Sequence, residues 1–492
     1  MPSPLQKPSA LFHFSLPVIC FSMLAALLVS CQPAKPEDPV ALSEQYAPLS
    51  GTPSPQGTNT ALGLAGYAKV MCSAVFVSGR EIEEAMKQSG YFFLPEELQD
   101  KASYTVDYEQ KTVTLTLGDS LSRSARYYGD QGCIIQTGQG LQFEPIAVES
   151  SLPPAATVPW PMGDADATSQ ESGLNKEIID AAVAAAFSPA EAYTAAFIVV
   201  HQGKIIAEQY APGIDKDTQL ESWSMGKSLT ATLIGRMIQQ GYFNLDSPAP
   251  VPAWQADGDP RKEIRIRDLL QMSSGLRFQS HRDPEARAEV NLMDHFYIYS
   301  GAVDAFQYSY SRPLQFPTGT EGRYHNCDPL TLGYIMKTTL TAKNLEYLTY
   351  AQRELFDKIG IRKQVMETDP YGNFLLTGFD FGTARNWARL GMLYLQNGKW
   401  NGEQILPDTY AQFVSSPAPG WKEPVYGGLF WLNGNEEMPI PKEAYYMGGA
   451  GGQRTIIIPS KDLVVVRLGH HRGDPLGMKS LNNAMAKLME AY

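Results

Sequence analysis

The sequence predicts a mixed α+β fold with an antiparallel sheet flanked by helices and a helical insert. One predicted strand hairpin, AAFIVVHQGKIIAEQYAPG, turns at Gln202-Gly203, and a second, RTIIIPSKDLVVVRLGH, lies near the other end of the chain. Between them, over about 246–421, helical periodicity and Gly/Pro breaks dominate. Strands at both ends of one region indicate a single sheet that is closed by its first and last elements.

The first thirty residues have the pattern of an export signal. Lys7 precedes an apolar run from Phe14 to Val29, which ends in LVSC at Cys31. LVSC resembles the lipobox of bacterial lipoproteins, which implies a signal peptide over 1–30 and lipidation of Cys31. The alternative is an uncleaved transmembrane anchor, and in both cases the body lies outside the cytoplasm. Gln32 resembles the signal for the outer membrane, so we expect a lipid anchor in the bacterial cell envelope, on the periplasmic face of that membrane.

Three further regions follow the signal. Prolines recur with Ser, Gly, Thr and Gln over residues 31–62, which predicts a disordered tether. Residues 63–150 show strand-like alternation in YTVDYEQKTVTLTLG and are predicted to form a small accessory domain. A Pro-rich stretch then leads to a main domain over 165–492, whose first helix is NKEIIDAAVAAAFS.

Cysteine positions predict one disulfide bond. Cys72 and Cys133 would close a loop of 133 − 72 = 61 residues in an oxidising compartment. Such a bridge is worth about 4 kcal/mol on the chain-entropy model. Cys327 would remain free. No Cys/His cluster has metal-ligand spacing, so we expect no metal.

Charge and composition narrow the class of partner. The chain has 492 residues, 43% of them hydrophobic, and a formal net charge of −12 at pH 7. This composition supplies a sizeable globular core, and the negative charge disfavours nucleic acid as a partner.

The segment ESWSMGKSLTATLIGRMIQQG places Ser224 three residues before Lys227, at the start of an apolar helix that ends at Gly241. Residues three apart share a helix face, so the lysine amine can reach the serine hydroxyl. Burial lowers a lysine pKa, and the neutral amine can then take the serine proton. A lone S-x-x-K more often marks an ordinary polar helix start, but this one is the sole match in the chain and follows a strand hairpin.

A second motif, FPTGTEGRYHNCD, contains Tyr324 and Asn326. A tyrosine hydroxyl can relay a proton between serine, lysine and a leaving group, and an asparagine amide can hold the substrate carbonyl or the lysine. The pattern Y-x-N also occurs at 242–244 and 371–373, where a helix end and a turn account for it. We assign His325 no role.

The two motifs in this order resemble the penicillin-recognising serine hydrolases, which include class C β-lactamases, related esterases, DD-peptidases and 6-aminohexanoate-dimer hydrolases. RDLLQMSSGL, PTGTEGRYHN and GFDFGTARNWARLGMLYLQNGKWNGEQIL match further family stretches, so the resemblance covers about 178–489. It implies a five-stranded antiparallel sheet flanked by helices, plus a helical domain. The segment with Cys72 and Cys133 lies outside the general family pattern, although it resembles a prefix of some members.

The third family element is a strand with Lys-Thr-Gly or His-x-Gly. At the corresponding place the chain has YYMGGAGGQRTIIIP, and the best register puts Met447 at the cationic position, followed by Gly448 and Gly449. A register shift of three would put Ala450 there, with the same loss of charge. In the family the cation helps to bind a substrate carboxylate, so its loss favours esters or amides without one. By analogy, the N–H of Ala450 joins that of Ser224 as an oxyanion donor.

These motifs predict a serine hydrolase that cleaves ester or amide bonds through an acyl-enzyme on Ser224. Lys227 and Tyr324 would move the proton, and Asn326 would position the pair or the substrate. The preferred activities are a carboxylesterase or an amidase similar to 6-aminohexanoate-dimer hydrolase, acting on a small ester or amide without a cofactor. The alternatives are a catalytically inactive membrane-tethered binding protein, and a β-lactamase or DD-peptidase that acts on cell-wall peptides.

Overall fold

The structure, a computed structural model, describes residues 55–165, 167, 173–283 and 293–492. The predicted signal peptide, Cys31 and most of the predicted tether lie outside the described residues. Among the helices in these stretches, none is long and apolar enough to cross a membrane.

Three helices and a small sheet form the first part of the described chain. The helices are α1 (Asn59–Phe76), α2 (Ile82–Gln88) and α3 (Glu96–Gln99). The strands are β1 (Ser103–Asp107), β2 (Thr112–Leu117), β3 (Leu121–Tyr127) and β4 (Cys133–Ile135), paired antiparallel in that order. We call residues 59–135 the accessory segment.

Helix α1 is buried over most of its length, because apolar residues surround its whole circumference. One side contacts β2, β3 and β4, and the other contacts a helix of the main body, 294–300. Gly66 allows this close packing, since a Cβ there would lie 2.2 Å from the ring of Tyr91. A disulfide joins Cys72 of α1 to Cys133 of β4, with their Cα atoms 6.0 Å apart. The accessory sheet is thus covalently attached to its helix.

The rest of the chain alternates strands and helices. The strands are β5 (Thr194–His201), β6 (Lys204–Tyr210), β7 (Leu220–Glu221), β8 (Val365–Met366), β9 (Asp380–Gly382), β10 (Lys399–Trp400), β11 (Glu403–Gln404), β12 (Trp431–Leu432), β13 (Tyr445–Gly449), β14 (Gln453–Ile458) and β15 (Leu463–Gly469). The helices are α4 (Lys176–Ala186), α5 (Met225–Gln239), α6 (Ile266–Leu270), α7 (Asp294–Ser300), α8 (Ala305–Tyr310), α9 (Cys327–Ala342), α10 (Ala384–Leu395), α11 (Tyr410–Ser415) and α12 (Leu476–Met489), and a π-helical turn covers Gln352–Phe356.

The main sheet is antiparallel, in the order β12-β13-β14-β15-β5-β6. Both predicted hairpins are confirmed as β5–β6 and β14–β15, and strands from the two ends of the domain pair at the centre. The sheet has six strands where five were expected. The additional strand, β12, pairs only Trp431 and Leu432 with β13 at the edge, and two residues are too few to show the alternation that predicts a strand.

Helices cover both faces of this sheet. Val465 of β15 packs in one apolar cluster with residues of α4 and α12, such as Ile179 and Leu481. Its neighbours Val464 and Val466 face the opposite cluster, which includes Trp387 of α10. Because successive strand residues point to opposite faces, a strand buried on both faces is mostly apolar, and LVVVRLG has Arg467 as its single charged residue. The predicted α+β architecture is confirmed.

Candidate active site

A sharp turn between β7 and α5 presents Ser224. Trp223 has φ +49°, a left-handed conformation that non-glycine residues rarely adopt, and Ser224 follows as the N-cap residue of α5. Two hydrogen bonds hold the turn, because the N–H and Oγ of Ser222 donate to the carbonyl oxygen of Asp380 at 3.1 and 2.9 Å. Strained backbone of this kind is stable only when its surroundings fix it. The turn leaves Ser224 half-buried at a cavity wall.

Lys227 lies one turn along α5, beside the serine. Its Nζ is 3.0 Å from Ser224 Oγ and donates to the carbonyl oxygen of Thr377 at 2.8 Å. The side chain is 1% exposed, and burial is the main cause that lowers the pKa of Lys227 well below its usual value. The charge of Arg282 lowers this pKa further, whereas Asp380 opposes the shift. A lysine in this state can accept the serine proton.

Tyr324 completes the cluster. Its hydroxyl hydrogen-bonds to the side chain of Ser224, and its ring centroid lies 4.9 Å from Lys227 Nζ. Burial raises the pKa of Tyr324, and the hydrogen bond to Ser224 opposes that shift. The structure therefore brings Ser224, Lys227 and Tyr324 together, although the tyrosine is distant in sequence.

Asn326 is placed differently from the other predicted site residues. It is fully buried at the start of α9, and its Nδ2 donates to the carbonyl oxygen of His295 at 2.8 Å. It is not among the residues that line the cavity with Ser224, whereas His295 is. Asn326 thus supports the cavity wall from behind.

Gly448, Gly449 and Ala450 line the cavity at the end of β13. A Cβ on Gly449 would lie 2.1 Å from the carbonyl oxygen of Ser222 and 3.1 Å from the nitrogen of Ser224. Only glycine permits this approach, which brings the strand end against the serine turn.

Met447 does not face the cavity. Its side chain is fully buried in the apolar core, whereas its neighbours Tyr446 and Gly448 line the cavity. This placement follows from the alternation of side chains along β13. Met447 is therefore a core residue of β13, and its assignment to the family's cationic position stays a prediction.

Two arginines that the sequence reasoning missed line the same cavity, Arg282 and Arg454. The guanidinium carbon of Arg282 lies 5.1 and 5.2 Å from the ring centroids of Tyr324 and Trp431. Arg454 is paired across the sheet with Gly448, and its Nη1 donates to the carbonyl oxygen of Gly449 at 3.0 Å. The sequence feature that could have indicated Arg454 as a cavity residue is its position in GGQRTIIIP, just after the glycines. The cleft therefore contains positive charge despite Met447.

A buried arginine supports the turn after Ala450. Arg467 of β15 is fully buried, and its Nη1 donates to the carbonyl oxygens of Gly451 and Gly452 at 2.9 and 3.0 Å. Its Nη2 donates to the carbonyl oxygen of Ala192 at 2.9 Å. These bonds connect the backbone next to the cavity to the centre of the sheet.

Within the described stretches, one group of side chains has metal-ligand atoms close together, within 4.8 Å: His325, Cys327 and Asp328. Asp328 already accepts hydrogen bonds from the N–H and Oγ of Ser274 at 3.3 and 2.5 Å. The Cys327 thiol donates to the carbonyl oxygen of Ser309 at 3.4 Å, and burial raises its pKa well above the usual value. These hydrogen bonds make the three side chains part of a packed core group.

Comparison with known proteins identifies the family. Residues 180–489 match the family model described as Beta-lactamase. The chain belongs to the Beta-lactamase family. A 6-aminohexanoate-dimer hydrolase of Paenarthrobacter ureafaciens is 24% identical over 296 residues, which is 56% of this chain and 73% of that protein. The Beta-lactamase family match and this relative indicate a hydrolase.

The chain is also similar to solved structures. One from Bacillus anthracis, for which the name 6-aminohexanoate-dimer hydrolase has been proposed, is 20% identical with a TM-score of 0.50 and covers 70% of this chain and 88% of that chain. A family VIII carboxylesterase is 16% identical with a TM-score of 0.46, and covers 63% of this chain and 97% of that chain. The likeness to the Bacillus anthracis structure shows the fold.

Proposed function

We propose that the protein is a serine hydrolase that cleaves ester or amide bonds through an acyl-enzyme on Ser224. The observation that carries the proposal is the 3.0 Å distance between Lys227 Nζ and Ser224 Oγ, at the wall of a cavity of about 610 Å³. The lowered pKa of Lys227 supports a neutral amine at this position.

In the proposed reaction, Ser224 Oγ attacks the substrate carbonyl carbon while its proton moves to Lys227 Nζ. The Tyr324 hydroxyl then passes this proton to the departing alcohol or amine, and the C–O or C–N bond breaks. Water next attacks the acyl-enzyme and gives a proton to the same pair. The pair returns this proton to Ser224 Oγ as the bond between Oγ and the acyl carbon breaks, which releases the acid and free Ser224. The N–H groups of Ser224 and Ala450 would stabilise the oxyanion, since both residues line the cavity.

The preferred substrates are carboxylic esters or small amides similar to a 6-aminohexanoate dimer. The sequence relationship to a 6-aminohexanoate-dimer hydrolase supports the amidase form of the proposal. Small uncharged esters test acyl transfer to Ser224 first, because the esterase and the amidase both require an acyl-enzyme on this residue.

Intact-mass spectrometry after exposure to a fluorophosphonate tests this proposal. We expect one covalent adduct on the wild-type protein and none on Ser224→Ala, together with hydrolysis of short-chain 4-nitrophenyl esters by the wild-type protein alone. Folded wild-type protein that gives neither an adduct nor hydrolysis would instead support the inactive binding protein.

A second candidate, a β-lactamase or DD-peptidase, is favoured by one specific observation. Arg282 and Arg454 line the cavity with Ser224, and guanidinium groups bind carboxylates such as those of penicillins and cell-wall peptides. Rapid and stable acylation of Ser224 by penicillin, detected as a mass increase that Ser224→Ala lacks, would favour this candidate over the esterase.

We also propose that Cys31 carries a lipid that anchors the protein to the cell envelope, on the periplasmic face of the outer membrane. The LVSC sequence that ends at Cys31 supports this location. Radiolabelled palmitate should enter the wild-type protein in a Gram-negative host and should not enter Cys31→Ser. Equal labelling of the two proteins would contradict the proposed site.

A further inference from the structure

Phe92 of the accessory segment is an aromatic residue that remains open to the cavity. Its side chain is 36% exposed, one of the few large apolar side chains in the described stretches with that much exposure. It lines the same cavity as Ser224, although 132 residues separate the two in sequence (224 − 92). An exposed aromatic side chain beside a reactive serine is suited to bind an apolar group.

Phe92 belongs to a group of rings on one side of the cavity, which we call the aromatic wall: Phe92, His281, Phe296 and His471. The ring centroid of Phe92 lies 4.8 Å from that of His471 and 6.1 Å from that of Phe296. His281 stacks on Phe296 at 5.3 Å. Behind the wall, the buried indole of Trp223 lies 4.9 Å from Phe92 in an edge-to-face arrangement.

The two histidines of the aromatic wall are uncharged at neutral pH. Burial lowers the pKa of both His281 and His471, and the charge of Arg282 lowers that of His281 further. Neutral imidazole rings beside two phenylalanines give this side of the cavity an apolar surface. The cavity lining also includes the charged residues Arg454, Glu437 and Asp474.

The backbone around Phe92 is held firmly. The preceding residue, Tyr91, is fully buried, and its hydroxyl lies 2.8 Å from Ser300 Oγ in α7. The Gln99 side chain accepts a hydrogen bond from the Tyr91 N–H at 3.1 Å and donates to the Tyr91 carbonyl oxygen at 2.9 Å. Ser89 donates to Glu221, next to the serine turn, at 3.0 Å. Phe92 is thus fixed in place before a substrate arrives, which reduces the entropic cost of binding.

We propose that Phe92 is a specificity-determining residue through which the accessory segment binds an apolar or aromatic substituent of the substrate. This inference rests on the proposed serine hydrolase function. The substituent can belong to the acyl group or to the leaving group of the ester or amide. A hydrolase domain without this segment would lack that part of the binding site.

Two substrate series with the full-length protein test the inference. One series varies the acyl group from acetate to octanoate with a constant 4-nitrophenyl leaving group, and the other varies the alcohol from methyl to benzyl with a constant acetyl group. We expect kcat/KM of the wild-type protein to rise with apolar size in one of the series. Phe92→Ala should reduce kcat/KM for the largest substrate of that series by about 4- to 16-fold, which corresponds to one or two methylenes that are no longer buried. It should reduce kcat/KM for the smallest substrate by less than about 2-fold.

Two further variants separate binding from folding. Phe92→Leu keeps an apolar side chain and should retain most of the selectivity. Tyr104→Ala is the matched control, because Tyr104 is an aromatic residue of the same segment with a similar exposure of 38% and does not line the cavity. A structural role alone would change all substrates equally, whereas the proposed role changes the ratio between large and small substrates.

The outcomes distinguish this inference from the proposed function. Hydrolysis by wild-type protein with the same large-to-small ratio in Phe92→Ala, in both series, would overturn the role of Phe92 and leave the hydrolase intact. Absence of both hydrolysis and the fluorophosphonate adduct in the wild-type protein would overturn the hydrolase, and the inference with it.

Discussion

The Nζ of Lys69 lies 2.6 Å from a carboxylate oxygen of Glu367, and both side chains are almost completely excluded from solvent. Lys69 belongs to α1 of the accessory segment, whereas Glu367 directly follows β8 of the main body. Glu367 also accepts hydrogen bonds from Ser73 Oγ at 2.6 Å and from the Cys133 N–H at 2.9 Å. One carboxylate therefore connects a helix and a strand of the accessory segment to the main body.

Lys69→Met should lower the free energy of unfolding by about 3–5 kcal/mol, because it leaves the Glu367 carboxylate buried without its partner. The double variant Lys69→Met, Glu367→Leu should lose less, since it removes both charges. Urea unfolding followed by circular dichroism measures both values. A single variant as stable as the wild-type protein would show that the ion pair does not stabilise the fold.

Lys227→Met should reduce kcat/KM for 4-nitrophenyl acetate by about 10²- to 10⁴-fold, which is the usual contribution of a general base. It should also slow labelling of Ser224 by the fluorophosphonate. Lys358→Met is the control, since Lys358 is partly exposed and pairs with Glu403 at 3.3 Å. Equal loss of activity in the two variants would argue against a role for Lys227 as the base.

The activity should rise with pH and reach a plateau above the lowered pKa of Lys227, because only the neutral amine accepts a proton. The charge of Arg282 lowers this pKa, so in Arg282→Ala the rise in activity should occur at higher pH. A pH–rate profile of kcat/KM for both proteins measures the shift. Arg353→Ala, at an exposed position, should leave the profile unchanged. A shift to lower pH in Arg282→Ala contradicts the assignment of this rise to Lys227.

The double variant Cys72→Ser, Cys133→Ser should lower the free energy of unfolding by about 4 kcal/mol, because its unfolded chain regains the freedom that the loop of 61 residues restricts. Guanidinium unfolding with and without dithiothreitol measures the effect. The reductant should destabilise the wild-type protein and leave the double variant unchanged. If the wild-type protein is equally stable in both conditions, the bridge does not contribute to stability.

Met447→Lys should destabilise the protein by several kcal/mol and should not create a carboxylate site, because the side chain of Met447 points into the core. Met447→Leu keeps the volume and should cost less than about 1.5 kcal/mol. Thermal unfolding compares the variants, and penicillin acylation tests the site. A stable Met447→Lys protein that gains penicillin binding would show instead that a side chain at position 447 can act in the cavity.

Local chemistry made Ser224 and Lys227 predictable, because a helix brings residues three apart together whatever the rest of the fold does. Tyr324 was found because its motif resembles a family pattern. The two strand hairpins were predictable from alternation and turn residues, which also act over short distances.

Contacts between distant parts of the chain were not predictable in this way. Phe92 and Arg282 show no pattern that connects them to Ser224, and only tertiary packing brings them to the cavity. The face on which Met447 lies was not predictable either, because YYMGGAGG is compatible with either face of a strand, and a shift by one residue reverses every side chain. Its pairing with β14 decides the face.

Strands β5 and β15 pair at the centre of the main sheet, with Leu463 opposite His201. During synthesis the hairpin β5–β6 is complete long before its partner exists, so one side of β5 carries unpaired N–H and C=O groups throughout that time. Such an edge can pair with other chains. Because contacts this distant in sequence also form slowly, we expect the newly made chain to depend on protection from aggregation until Leu463–Gly469 becomes available.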